Sequence, residues 1–138
     1  MLRDYEAVVK AAADPNRVRV LKMLEGGELC VCQIVAALGL SPSTVSKHLS
    51  LLHAAGLVEE RKTGRWVHFR LAEAKVNEYA LPLLKLIRGW MRDDAAIQAD
   101  AGKVARIRQL PVEQLCSLQP SSLGRYLASA PAKAGARG

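Results

Sequence analysis

The chain has 138 residues, half of them apolar, with 20 Lys and Arg against 13 Asp and Glu and a formal net charge of +7. That is enough for one domain with a buried core, while no apolar run approaches the ~18 residues that span a bilayer. Neither a membrane partner nor an export signal is indicated, so a soluble, cytoplasmic protein is expected, and the positive balance favours a polyanionic partner such as nucleic acid.

Leu2 to Ala13 sets Tyr5, Val8, Val9 and Ala12 on one face at helical spacing, which predicts an amphipathic helix. Asp14-Pro15 then combines a side-chain cap with proline at the first helical position, starting a second helix whose apolar residues are Val18, Val20, Leu21 and Leu24. Gly26-Gly27 stop it. Ile34, Val35, Ala37 and Leu38 suit a short helix over Gln33 to Leu38, closed by Gly39. Ser41-Pro42 repeats the cap-plus-proline signal ahead of a longer helix from about Ser43 to Ala55, which Gly56 ends. Two short helices joined by a tight glycine turn predict a helix-turn-helix.

Leu57 to Lys62 and Trp66 to Leu71 flank the turn Thr63-Gly64-Arg65 and predict a β-hairpin, a wing with basic side chains near its tip. Beyond it Val76, Tyr79, Ala80, Leu83, Leu84, Ile87 and Met91 recur at helical intervals. Pro82 disturbs a helix through that point, so the main helix is expected from Leu81 or Pro82 to about Gln98. The fold class expected is mainly α with a small β-hairpin, a winged helix-turn-helix acting as a homodimer. Residues 1–98 form the DNA-binding and dimerisation domain, 99–130 an extension with helical potential, and 131–138 a disordered tail.

In the longer helix Val45, Leu49 and Leu52 can pack inward, which leaves Ser43, Thr44, Ser46, Lys47, His48 and Ser50 facing outward, with Ser41 at the cap. Small hydroxyls and a lysine at a helix start suit phosphates and base edges in a major groove. Arg61, Lys62 and Arg65 cluster at the hairpin tip, where a protruding loop can lie along the sugar-phosphate backbone. Trp66 and Phe69 read as hairpin packing, and His48, His53 and His68 as packing or phosphate contacts. One such unit reads few base pairs, so a dimer on a palindromic double-stranded operator with half-sites about 10 bp apart is expected, joined through the first helix and the Leu83 to Met91 helix.

Cys30 and Cys32 stand too close for an ordinary structural disulfide and read as thiols open to metal or redox chemistry. Thiolates are soft ligands that select As(III), Sb(III), Cd(II), Zn(II) or Cu(I). Residues two apart on a helix point roughly 200° from each other, whereas in extended backbone they share a side. Joint capture of one ion is therefore expected to pull the start of the supporting helix out of shape.

The run SPSTVSKHLSLLHAAGLVEERKTGRWVHFRL from Ser41, with ELCVC ahead of it, resembles the ArsR/SmtB family of metalloregulatory repressors over residues 10–71. The resemblance implies a DNA-binding repressor, not an enzyme, without a permanent cofactor and released by trivalent arsenic or antimony on its cysteines. The family's arsenic sensors place a third cysteine three residues after the second, where this chain has Val35. Cys116 is the remaining thiol, and two alternatives stand: it completes the metal site, within one subunit or across the dimer, or it stays apart and leaves a two-sulfur, solvent or small-thiol site. The family's zinc sensors use Asp and His along the dimer helix, but no histidine follows His68, and Asp93-Asp94 reads as a solvated pair.

The rival readings are a repressor of the same fold sensing Cd(II) or oxidants, a small thiol enzyme, and a DNA-coating protein. The enzyme is disfavoured because no strand-helix-strand redox framework surrounds the cysteines. Indifference to thiol reagents would mark the DNA-coating protein.

Overall fold

The computed structural model describes residues 1–117; the expected tail, 131–138, and the later part of the extension lie outside them. Seven helices and three strands follow in the order α1 (Leu2–Ala13), α2 (Pro15–Leu24), β1 (Leu29–Cys30), α3 (Val31–Leu38), α4 (Pro42–Ala54), β2 (Val58–Thr63), β3 (Trp66–Leu71), α5 (Ala80–Arg88), α6 (Ala95–Ile107) and α7 (Val112–Ser117).

Both cap-plus-proline signals act as expected. Asp14 accepts from the backbone N–H groups of Asn16 and Arg17 at 2.8 and 3.2 Å, and Ser41 Oγ from that of Thr44 at 3.2 Å. These satisfy donors that a helix start leaves open, and proline fits there because it lacks one. Val45, Leu49 and Leu52 bury the inner face of α4 against a core that includes Leu21, Ile34 and Leu57. The chain is a winged helix-turn-helix, with α3 and α4 as the helix pair and β2-β3 as the wing.

The first helix differs in detail from its expected stripe: Val8 and Ala11 are buried, whereas Tyr5 and Val9 stay exposed. In α2, Met23 joins Val20, Leu21 and Leu24 inside, while Val18 is half-buried. The wing gains a third strand: β1 pairs antiparallel with β3, Leu29 opposite Phe69 and Cys30 opposite His68, giving the order β1-β3-β2. A two-residue strand has no periodicity of its own and exists only because β3 offers it an edge. The hairpin turn narrows to Gly64-Arg65 between the paired Thr63 and Trp66, with Gly64 at φ 60°, which a glycine adopts without a Cβ clash.

The long helix expected to Gln98 is instead two. α5 ends at Arg88, Met91 takes φ 61°, and Asp94 starts α6 by accepting from Ala96 and Ile97 N–H at 2.9 and 3.2 Å. Lys22 Nζ donates to the Ile87 and Trp90 carbonyls at 3.0 and 2.9 Å, closing α5 by an ammonium at its negative end. Pro82 causes no break because it falls in the first turn of α5, where its missing N–H has no intrahelical partner. Asp94 is therefore a helix cap, not the freely solvated charge expected.

α6 packs across α2 and α3. Arg19 forks onto Asp100 with bonds of 2.8 and 2.9 Å, and Lys103 Nζ donates to the Ala37 carbonyl at 3.1 Å. Arg108 donates to the Gly27 and Glu28 carbonyls at 3.2 and 3.0 Å. Thus α6 is stapled to both ends of the segment that carries Cys30 and Cys32.

Candidate functional site

Cys30 caps the N-terminus of α3 from extended backbone (φ −75°, ψ 152°), and Cys32 is the second residue of that helix. The Cys30 backbone N–H donates to Gln33 Oε1 at 2.8 Å, which fixes the entry of the chain into the helix. α6 turns the chain back so that α7 lies on α3, and the sulfurs of Cys30, Cys32 and Cys116 all fall within 4.8 Å of one another.

Cys32 and Cys116 are joined as a disulfide with Cα atoms 5.3 Å apart, and Cys30 is a buried free thiol. All three were expected as thiols; the disulfide forms because the fold brings a remote cysteine beside Cys32, which sequence spacing does not reveal. Reduced, the cluster offers three sulfurs in the range that one ion requires, since a metal-thiolate bond of about 2.3 Å puts two sulfurs on one ion roughly 4 Å apart.

The expected distortion of the helix rested on residues two apart diverging along an intact helix; the helix begins at Val31, two residues before the predicted Gln33, and takes in Cys32 alone. Cys30 lies ahead of α3, in β1, so its sulfur reaches the neighbourhood of Cys32 with the helix intact. Convergence of the pair requires no unwinding.

A cavity of about 520 Å³ opens beside the sulfurs. Its further walls are α4, through Ser46, Leu49, Ser50 and His53, and the wing, through Arg65, Trp66 and Phe69. The cysteine cluster, the outward helix and the hairpin therefore share one space. Sequence reasoning assigned Trp66 to packing and His53 to packing or phosphate contact; no local signal puts them beside the cysteines.

On α4, Ser41, Ser43, Thr44, Ser46, Lys47 and Ser50 are exposed. His48 is half-buried, its Nδ1 3.3 Å from Arg17 Nη1, while Arg17 Nε donates to the Ala11 carbonyl at 2.7 Å. It is thereby tied to the end of α1. On the wing, Lys62 is exposed and the Arg65 guanidinium lies 4.7 Å from the Trp66 ring centroid. Arg61 is already engaged: its Nε and Nη2 donate to Glu28 at 3.0 and 2.6 Å, tying β2 to the loop before β1. That hydrogen bond holds the Glu28 carboxyl below its ordinary pKa.

Residues 14–60 match the family described as bacterial regulatory protein, arsR family. The arsenical resistance operon repressor of Escherichia coli (strain K12) is 37% identical over 98 residues, covering 70% of this chain and 81% of that protein. The cadmium resistance transcriptional regulatory protein CadC homolog of Staphylococcus aureus is 37% identical over 76 residues, 54% of this chain and 63% of that protein. Among solved structures, the homodimeric winged helix-turn-helix DNA-binding domain Mb0332 from Mycobacterium bovis superposes with a TM-score of 0.55 at 33% identity, covering 63% of this chain and 77% of that one.

Proposed function

As the chain belongs to the arsR family of bacterial regulatory proteins, we propose that it is a homodimeric transcriptional repressor released from a palindromic operator when Cys30, Cys32 and Cys116 bind trivalent arsenic. The observation that carries this reading is the approach of three sulfurs to within 4.8 Å at the start of the helix that supports α4. Arsenite then exchanges three hydroxyls for three sulfurs; each thiol proton leaves with a hydroxyl as water. Antimony(III) follows the same chemistry.

DNA contact rests on the exposed hydroxyls of Ser43, Thr44 and Ser46 with Lys47 on the first turns of α4, and on Lys62 and Arg65 of the wing. Arg61 contributes by fixing the wing through Glu28. The dimer surface draws on Leu2, Tyr5 and Val9 of α1 and Leu86 of α5 with Trp90 and Met91 beyond it, all large apolar side chains exposed in the single chain. Domain roles follow: 1–98 reads DNA and pairs subunits, and the extension from 99 supplies a ligand.

The route from metal to operator is the shared cavity. Its thiol wall adjoins both DNA-reading elements, so an occupant that fits only one disposition of α4 and the wing shifts the population away from the DNA-bound one.

The disulfide favours a second reading, in which oxidants act on the same cluster. Peroxide would take two electrons and two protons from the Cys32 and Cys116 thiols, forming the sulfur-sulfur bond and two waters. That removes two of three arsenic ligands.

The test is an anisotropy titration of reduced protein on a duplex selected in vitro, with arsenic-edge absorption to count sulfurs. In the wild type, stoichiometric arsenite should release the duplex with three sulfurs per arsenic, while Cys116→Ser should bind arsenic through two sulfurs and keep the duplex at that concentration; a wild-type complex that persists with arsenic bound would refute the reading. Peroxide in place of arsenite tests the second reading by the same signal. In Lys47→Ala the duplex should bind more weakly, its log-log salt slope shallower by about 0.9, the loss of one phosphate contact.

A further inference from the structure

The Arg17 side chain joins three helices. From the first turn of α2 its Nε and Nη2 donate to the Ala11 and Lys10 carbonyls at 2.7 and 3.2 Å, satisfying acceptors that the end of α1 leaves open. Its Nη1 lies 3.3 Å from His48 Nδ1 on α4. A guanidinium carries donors and no acceptor, and it stays protonated, so the imidazole accepts through Nδ1. In the neutral ring the proton is then on Nε2, which has no partner among the described residues.

His48 follows Lys47 and stands one turn beyond Thr44, at the edge between the exposed face of α4 and the face that Val45, Leu49 and Leu52 bury. A helix lying in a major groove turns its outer face to the bases and its edges to the groove walls, which are phosphate backbone. A half-buried imidazole, held from behind at one nitrogen and keeping an N–H at the other, suits a phosphate oxygen there.

We infer that Arg17 is a positioning residue for DNA binding: it holds His48 in the tautomer that presents Nε2–H to a phosphate of the major-groove wall. With the proton on Nδ1 instead, the ring would set an N–H against the guanidinium and a lone pair against the phosphate anion, unfavourable at both ends. The inference rests on the reading that α4 docks on DNA, and its test separates the two.

Reduced protein is titrated on a duplex selected in vitro, and long-range proton-nitrogen NMR of the imidazoles is recorded at about pH 8, where an ordinary histidine is neutral. The chain has three histidines, and His48→Gln assigns the His48 signals by their loss. Wild type should carry the His48 proton on Nε2, and Arg17→Ala should populate the Nδ1–H form. His48→Ala and Arg17→Ala should each bind the duplex about tenfold more weakly, the loss of a hydrogen bond to a charged acceptor, and the double variant little more weakly than either. His48→Gln offers an amide N–H near the Nε2 position and has no tautomer to hold, so it should stay within about threefold of wild type, with or without Arg17. A single methylphosphonate moved along each half-site should find a position that weakens wild type about tenfold and leaves His48→Ala unaffected. Should Arg17→Ala not fold, the wild-type tautomer and the methylphosphonate comparison decide alone.

A His48 proton on Nδ1, additive losses in the double variant, or an equal loss from Arg17→Ala in the His48→Gln background overturns the inference while DNA binding stands. Sensitivity to deazapurine in place of methylphosphonate does the same, by moving the contact to a base edge. Selection that enriches no duplex overturns the DNA-binding reading, and the inference with it.

Discussion

Cys32→Ser is expected to hold its operator within about twofold of wild type and to need at least about 100-fold more arsenite for release, roughly 2.7 kcal/mol of lost differential affinity. Cys32 is half-buried at the second position of α3, where a hydroxyl is tolerated, so the fold and the face of α4 should survive. A ligand moves a two-state equilibrium only by its preference for one state, and an arsenic held by two sulfurs has lost part of that preference. Cys30→Ser is a less clean variant. Its side chain is 2% exposed, and an unpartnered hydroxyl there costs about 1 to 3 kcal/mol of stability in addition to any sensing defect. Anisotropy titration of the Cys32→Ser complex decides the matter: release at wild-type arsenite concentration would remove Cys32 from the switch.

The DNA-reading half of the molecule was legible because its signals are local. Asp14-Pro15 and Ser41-Pro42 each announce a helix within four residues, and Gly39 and Gly64 take the positive φ that a turn needs. The sensing half depends on distant partners. β1 is visible only once β3 exists to pair with Leu29 and Cys30. Cys116 follows α6, which Arg19, Lys103 and Arg108 dock, and lies on α7, which packs against α3; none of these contacts leaves a periodic trace. One signal was present and underused: Asp94 ahead of Ala95 and Ala96 has the form of a helix cap, and reading it would have split the long helix correctly. The helix begins two residues before the predicted Gln33, so it takes in Cys32 and leaves Cys30 at its cap. Placing Cys30 one residue ahead of the helix converts two opposed side chains into a converging pair.

Arg19→Ala carries the largest expected effect on stability. The Asp100 side chain is 6% exposed and its Arg19 partner 26%, so removing the guanidinium leaves a carboxylate in the interior without its fork of two hydrogen bonds. Breaking such a pair from one side costs about 3 kcal/mol, enough to lower Tm by roughly 10 °C in a domain of this size. Replacing both partners by apolar residues, as in Arg19→Met with Asp100→Leu, should restore most of that stability because no uncompensated charge remains. Calorimetry on the single and double variants measures this directly. The same pair also bears on the cluster, since α6 leads into α7 and Cys116. If docking of α6 positions the third sulfur, Arg19→Ala should bind arsenic through fewer than three sulfurs at temperatures where the rest of the fold persists, and the apolar double variant should recover the third. A full count of three sulfurs in Arg19→Ala, alongside the lowered Tm, would show that α6 stabilises the fold without placing Cys116.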